Sequence, residues 1–424
     1  IALTLGRLVI TQRRLLQWET AAATAARAAG LLARHGPRVF VAEMWAGPAA
    51  ALLVLLGVLP LRASALPVML PFLAAWLASP MVAWWLSRPV VPRRLALGAE
   101  DTAQLRRIAR RTWRYFERFV TVQDHGLPPD NAQEDPELRI ARRTSPTNIG
   151  MGLLSTLAAH DFGYLASDQL ADRIDATLTS VEALERHQGH LLNWYDTESL
   201  APLAPRYVSS VDSGNLAGAL MTLSAGLREV ALGASDRESV CAGLADTAGV
   251  LAEALASLAS RSHAATPLRT SCAVAQRELD ALHEILGAGG PASTRLAAAR
   301  ERAPGLRAAL AEVAAAAAAG PEFHEVAEWS QVLDQALVRS PEPPTAPETL
   351  RERLHELARR SDRLADGMAW AFLYDGARGA FSIGFRLADA EGPGRLDASY
   401  YDLLASEARL ASFIAIARGE VPQE

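Results

Sequence analysis

The chain has 424 residues, a net charge of −5 and a pI near 6.1, so it exceeds one ordinary domain and carries no positive excess for nucleic acid. Its two cysteines, Cys241 and Cys272, stand in Ala-rich sequence without metal-ligand or disulfide-framework spacing, which fits a reducing compartment. The first residue is Ile1 with no signal-peptide n-region before it, so the expectation is a piece of a longer reading frame.

Residues 1–43 read as an amphipathic, basic tail. Arg7, Arg13, Arg14, Arg27, Arg34 and Arg38 interleave with Leu, Val, Ile and Trp18, the pattern of a helix lying on an anionic membrane surface. Residues 44–98 read as a transmembrane helical hairpin. Met44–Leu61 and Leu66–Leu86 carry no charge, and Trp45, Trp84 and Trp85 sit at segment ends, where aromatic belts form. Only Arg62 lies between the two segments, whereas Arg88, Arg93 and Arg94 follow the second. That bias predicts both ends, and the soluble region, on the cytoplasmic side of a multi-pass inner-membrane protein.

From residue 99 the texture becomes soluble. Asp101 or Thr102 is expected to cap an amphipathic helix that ends before Asp124. Pro128 and Pro129 forbid helix and hold Asp130 and Asn131 on an extended segment. Thr147 or Asn148 is the expected cap of a helix running from Ile149, and a second helix covers Ser167–Arg186. Between residues 189 and 216 comes a window with neither helical nor strand period, holding Asn193, Trp194, Tyr195, Asp196, Asp212 and Asn215. Aromatic rings and Asp/Asn together are what a sugar cleft needs: flat faces for pyranose C–H surfaces, carboxylates and amides for hydroxyls. A connector whose polar groups satisfy backbone donors has the same composition. Ser213-Gly214-Asn215 is expected to start the next helix.

Residues 233–320 are Ala-rich helices, broken at 264–267 and 287–293, without a site. A loop at 340–347 precedes a helix over Glu348–Met368. Phe372–Tyr374 and Phe381–Phe385 around Asp375-Gly376 predict a β-hairpin, followed by Asp397, Ser399, Tyr400, Tyr401 and Asp402 and a helix carrying Glu407 and Arg409. Polar loop, cap, apolar helix and return helix recur. The fold expected is all-α: two transmembrane helices followed by an incomplete (α/α)6 toroid with a short β-hairpin, its functional loops gathered at the inner-helix ends.

Five stretches carry a resemblance: LPPDNAQEDP (127–136), IARRTSPTNIG (140–150), GHLLNWYDTESLAPLAPRYVSSVDSGNLAGAL (189–220), FLYDGARGAFSIGF (372–385) and LDASYYDLLASEARLASFIAIARGEVP (396–422). They resemble the middle portion of the bacterial membrane-bound cyclic β-1,2-glucan synthases. Residues 3–22 also resemble the segment following that family's glycosyltransferase domain. The resemblance implies a full-length enzyme in which UDP-glucose is the donor for chain extension. A glycoamylase-like (α/α)6 domain then cyclises the glucan by retaining transglycosylation, and a phosphorylase-like domain trims linear chains. It implies a β-1,2-glucan chain, a lipid bilayer and the remaining domains of the same polypeptide as partners, with no cofactor or metal in this fragment and no nucleic acid. The family's catalytic glutamates are expected beyond Glu424, so the fragment alone is expected to be inactive.

On that resemblance Trp194, Tyr195, Tyr400 and Tyr401 are candidates to stack on glucose rings, with core packing as the competing role. Asp130, Asn131, Asn148, Asn193, Asp196, Asp212 and Asn215 are candidates to bind glucan hydroxyls, with capping the competing role for Asn148, as for Ser213. Asp402 and Glu407 are the only acids entertained as catalytic; as structural carboxylates they would pair with Arg206 and Arg409, the remaining candidates. A membrane-tethered module that guides glucan without cleaving it, or a glucan hydrolase or phosphorylase, are the alternative readings.

Overall fold

The computed structural model describes residues 38–87, 97–233, 237–260, 266–317, 323–338, 348–389, 392–401 and 409–422, in two compact units, 1–96 and 97–424. The amphipathic tail expected over 1–43 lies almost wholly outside the described residues. The described part is all-α in character, with thirteen α-helices and only short strands.

In the first unit, α1 (Arg38–Glu43) leads into α2 (Ala46–Leu61), and a 3-10 turn at Ala63–Ala65 reverses the chain into α3 (Leu66–Leu86). Pro60, Pro71 and Pro80 lie inside the last two helices. Helices α2 and α3 pack closely near Gly47, where an added Cβ would come 3.3 Å from Ser79 Oγ. The pair exposes an apolar surface, with Leu53, Leu56, Val68, Phe72 and Trp85 each more than 60% exposed. The run Ala63–Leu86 is long and apolar enough to cross a membrane and is only 11% buried.

The second unit opens with α4 (Ala99–Phe119), whose N-cap is Gly98 rather than Asp101 or Thr102. Asp101 instead accepts from the Gly98 N–H at 3.3 Å, and Thr102 donates to the Gly98 carbonyl at 2.9 Å. Short pairs follow: β1 (Ala132–Gln133) against β2 (Arg139–Ile140), then β3 (Arg143–Thr144). Helix α5 (Pro146–Asp161) is capped by Ser145, whose Oγ accepts from the Asn148 N–H, with Pro146 in the first turn where its missing N–H costs nothing. The cap therefore lies upstream of the expected Thr147 or Asn148. Helix α6 (Ser167–Ala183) returns antiparallel after a short loop.

Next, β4 (Arg186–His187) and β5 (His190–Leu191) form a two-residue hairpin with Gln188 and Gly189 both at positive φ, 51° and 85°. An added Cβ on Gly189 would sit 1.9 Å from the Gly367 carbonyl oxygen, so only glycine fits. The strand β6 (Tyr195–Asp196) pairs with β3, and β7 (Tyr207–Ser209) runs into α7 (Ser210–Leu232). Ser209 caps α7, accepting from the Asp212 N–H, in place of the expected Ser213. Helices α8 (Arg237–Ser260), α9 (Thr266–Gly287), α10 (Ala292–Ala316) and α11 (His324–Val338) share a Leu/Ala core of their own. Although α8 has membrane-spanning length and composition, 56% of it is buried, as suits a core helix.

Helix α12 (Glu348–Asp366) precedes the predicted hairpin, found as β8 (Tyr374–Asp375) and β9 (Ala380–Phe381). Beyond that expectation, β10 (Gly384–Arg386) pairs with both β7 and β11 (Arg395–Leu396), and α13 (Arg409–Ala417) packs on α7. A second core joins α5, α6, α7, α12 and α13 around Leu153, Ile174, Leu220, Leu357 and Trp370.

Helices α5 and α7 run parallel in close contact. An added Cβ on Gly150 would come 3.0 Å from Ala219 Cβ, and one on Gly226 would come 2.4 Å from a Leu157 methyl. Residue 150 meets 219 at one end and 157 meets 226 seven residues further on, so the two N-termini lie side by side.

Candidate functional site

Those two N-termini gather most of the sequence-predicted polar residues. Asp212, in the first turn of α7, accepts from Thr147 Oγ1 at 2.6 Å. Thr147 accepts in turn from the Asn215 amide at 3.1 Å. With its amide oriented to satisfy both neighbours, Asn193 donates to Asp212 Oδ2 and accepts from the Trp194 indole N–H, each at 3.2 Å. Carboxylates here are favoured by the positive ends of both helices.

A second carboxylate completes the cluster. Asp130 accepts from Asn148 at 3.4 Å, from Asn131 at 3.1 Å and from Arg143 Nη2 at 2.9 Å. The Arg143 guanidinium also lies 4.8 Å from the centre of the Trp194 ring, tying the Asp130 group to the Asp212 group. Asp130, Asn148, Asn193, Trp194, Asp212 and Asn215 are each half-buried. Pairing of β3 with β6 sets this geometry by placing Arg143 opposite Asp196.

Neighbouring residues in the window divide by face. Tyr195 is 0% exposed. Its hydroxyl accepts from the Leu192 N–H and donates to the Glu185 carbonyl, both at 2.6 Å, and burial pushes its phenol pKa up. Tyr195 is therefore a core residue with no ring face to offer a ligand, a correction to its expected stacking role. Asp196 accepts from the Ser199 N–H and hydroxyl and from the Glu198 N–H, bonds that hold its pKa below the usual carboxylate range and fold the 196–201 loop.

The later candidates lie on the β8–β11 side. Tyr400 donates to Asp375 Oδ2 at 2.5 Å, with the Arg378 guanidinium 4.4 Å from its ring centre. The Tyr401 hydroxyl reaches the Ile383 carbonyl at 3.5 Å, the same carbonyl that accepts from the Ser210 N–H at 3.0 Å. Tyr401 is thus carried to the start of α7. Arg206 pairs with Glu185. Arg409 opens α13. Asp402 and Glu407, the weak catalytic candidates, lie outside the described residues.

Thr147 and Arg143 belong to the cluster but had no place among the sequence candidates. Thr147 reads from the sequence as a cap, and Arg143 stands in an arginine pair whose other member, Arg142, turns to the buried Asp124 at 2.7 Å. The two neighbouring arginines thus serve different acids. Cavities of about 640 Å³ beside α6 and about 310 Å³ between α10 and α11 lie elsewhere; the hydrogen-bond chemistry, not cavity size, marks this site. Among the described residues no group of His, Cys, Asp and Glu could hold a metal ion.

Residues 107–224, which include the whole cluster, match a family described as protein of unknown function (DUF3131). The full chain is 38% identical over 435 aligned residues to cyclic beta-(1,2)-glucan synthase NdvB of Rhizobium meliloti (strain 1021). That alignment covers 100% of this chain and 15% of the relative. From end to end, then, the chain is similar to one segment of a cyclic β-(1,2)-glucan synthase, the family its sequence resembles.

Proposed function

We propose that this chain is the glucan-holding segment of a membrane-bound cyclic β-1,2-glucan synthase, and that the Asp130–Trp194–Asp212 cluster grips the β-1,2-glucan for retaining transglycosylation by the complete enzyme. The observation that carries this reading is the convergence of residues from 130–131, 143–148 and 193–215 on one half-buried polar cluster with an indole at its edge. Two carboxylates, four amides and a flat ring offer acceptors and donors for hydroxyls and a surface for a pyranose face. The alternating directions of α5, α6 and α7, with loops collected at one end, support a toroidal (α/α)6 arrangement for the complete domain.

The two acids are engaged as hydrogen-bond acceptors, which suits holding a sugar chain; the catalytic glutamates are assigned to parts of the enzyme outside this segment. UDP-glucose is the donor of the full-length enzyme, and α2 and α3 form a hairpin in the inner membrane with the second unit on the cytoplasmic side. Titration of the full chain with linear β-1,2-glucan by calorimetry tests the reading, with linear β-1,3-glucan as control. Saturable binding of the β-1,2 chain that Trp194→Ala and Asp212→Asn each weaken about ten-fold, ~1.4 kcal/mol, is expected. Equal affinity for both glucans, or wild-type affinity in both variants, would sink it.

A further inference from the structure

The sheet β7–β10–β11 has one face in the core and a second that the Asp130–Trp194–Asp212 cluster does not use. Phe385 stands opposite both Val208 and Leu396, and Val208 is 0% exposed, so that row is the inner face. Alternation puts the next row, Tyr207, Arg386 and Arg395, on the outer face. Ser209 shares this face with Tyr207, and its Oγ accepts from the Asp212 N–H at 3.2 Å. Asn193 makes a second link: its main-chain N–H donates to the Tyr207 carbonyl at 2.7 Å, and its side chain donates to Asp212 Oδ2 at 3.2 Å. The outer face therefore leads into the turn that carries Asp212.

Tyr207 crosses this face. Its ring passes over β10 at Gly384, where an added Cβ would sit 2.4 Å from Cε1 and 2.5 Å from Cζ, and its hydroxyl meets Asp397 Oδ2 beyond. Only glycine leaves that passage open. Tyr207 is half-buried, and with the inner side of the ring on the strand, its remaining surface is on the outer side. The contact with Asp397 is 3.4 Å, longer than the ~2.7–2.8 Å usual between a hydroxyl and its acceptor, so the carboxylate is open to a better placed donor. Arg395, two residues before Asp397 on the same face, is exposed, and no hydrogen bond or ion pair engages it among the described residues. Arg386 is held by Asp389 at 3.0 Å, so the described charges of this face balance. A ring, a carboxylate and a guanidinium without excess charge suit a neutral polyol rather than an anion. A β-1,2 linkage leaves the 3- and 4-hydroxyls of each glucose as a free neighbouring pair, which a carboxylate or a guanidinium fork engages together.

We propose that the outer face of this sheet is a second glucan subsite, where Tyr207 stacks on a glucose ring and Asp397 and Arg395 hold hydroxyls of the same or the next sugar. It rests on the reading that the Asp212 cluster grips β-1,2-glucan, and it extends that grip along the chain. A short glucan fills the first subsite alone. A long one fills both, and its second contact is intramolecular, so binding tightens without any change at Asp212. The segment thereby selects chains long enough to be held at two points, which is what ring closure requires.

Calorimetric titration of the full chain in detergent, with a short β-1,2-gluco-oligosaccharide and a long linear β-1,2-glucan, tests the proposal. In the wild type the long chain is expected to bind at least ~ten-fold more tightly. Arg395→Ala, which alters an exposed side chain and should keep the wild-type Tm, is expected to remove most of that advantage while short-chain affinity stays unchanged. Tyr207→Ala should do the same, and Tyr207→Phe, which keeps the ring, should retain the advantage. Trp194→Ala weakens binding of both lengths. The second subsite is overturned, and the first left standing, if Arg395→Ala and Tyr207→Ala keep the wild-type ratio of affinities while Trp194→Ala still weakens both. Equal loss for short and long chains in Arg395→Ala also overturns it, by placing Arg395 in the first subsite. If neither length binds the wild type, the first subsite falls and the second with it.

Discussion

Thr147 and Asp212 stand 65 positions apart in the chain, and their side chains meet at 2.6 Å. The threonine hydroxyl donates to the carboxylate and accepts from Asn215, so one side chain from α5 ties together two residues one turn apart on α7. This contact makes the two parallel helix ends one surface.

Thr147→Val keeps the shape of that junction and removes its hydroxyl. Asp212 and Asn215 each lose a partner in a half-buried setting, which costs ~1–3 kcal/mol. A lower Tm of the full chain, together with weaker glucan binding, is the expected outcome. Unchanged values of both would mean that the helix ends are held by packing alone.

Adjacent residues in the window are expected to behave oppositely. Tyr195→Phe removes a buried hydroxyl that both accepts and donates, leaving the Leu192 N–H and Glu185 carbonyl unsatisfied, so stability falls by ~1–3 kcal/mol. Its affinity for linear β-1,2-glucan stays at the wild-type value. Trp194→Ala gives the reverse: a small stability change and a large loss of affinity. Calorimetric titration beside thermal melts separates the two, and a tyrosine variant that binds glucan ten-fold more weakly would return Tyr195 to the ligand face.

That contrast shows what the sequence carries and what it withholds. The helices are legible because their apolar spacing extends over many residues, and Asp375-Gly376 announces its turn through residue type alone. The helix starts at Ser145 and Ser209 are misplaced by two or more residues, because the polar side chains nearest each apolar run, Thr147, Asn148 and Ser213, lie inside the first turn. The pairs Arg143–Asp196 and Val208–Phe385 join strands two or three residues long, too short to show any period. Without those pairings the face of Trp194, and the part played by Arg143, cannot be deduced from the chain alone.

His190 gives the fold a defined acid sensitivity. It is 0% exposed, and its Nε2–H donates to the Ala369 carbonyl at 2.7 Å with the Trp370 ring edge-on at 4.9 Å. Burial lowers its pKa from 6.5 to about 4, and the charges of His187 and Arg418 add to the lowering. The unfolded chain takes up this proton near pH 6.5, whereas the folded chain resists it until about pH 4. The stabilising effect is therefore complete above pH 6.5 and declines through that window, by about 3 kcal/mol in all. Melts between pH 7 and pH 5, above the range where carboxylates such as Asp124 titrate, are expected to show Tm falling with acid. His190→Gln keeps a donor for Ala369 without a titrating ring and flattens the decline; an equal slope in the variant would remove His190 as its cause.

The exposed apolar hairpin yields the last prediction. Helix α3 has 21 residues, ~32 Å at 1.5 Å per residue, and so matches the hydrocarbon thickness of ~30 Å. Helix α2 has 16 residues, ~24 Å, and crosses only with help from flanking residues or local thinning of the bilayer. Arg62 alone marks the tip, while the arginines cluster at both outer ends, so the tip is expected outside the inner membrane and Gly98 inside it. Cys241 and Cys272 are 2% and 3% exposed, which leaves the native protein almost silent to thiol reagents. In intact cells a membrane-impermeant maleimide should label Arg62→Cys and spare Gly98→Cys, and lysis should make both reactive. Phe72→Arg, which places a charge in the spanning helix at a cost of ~2.5–3.5 kcal/mol at its centre, should weaken retention in the membrane after alkaline washing. Labelling of Gly98→Cys in intact cells would reverse the topology; labelling of neither variant before lysis would lay the hairpin on the cytoplasmic surface.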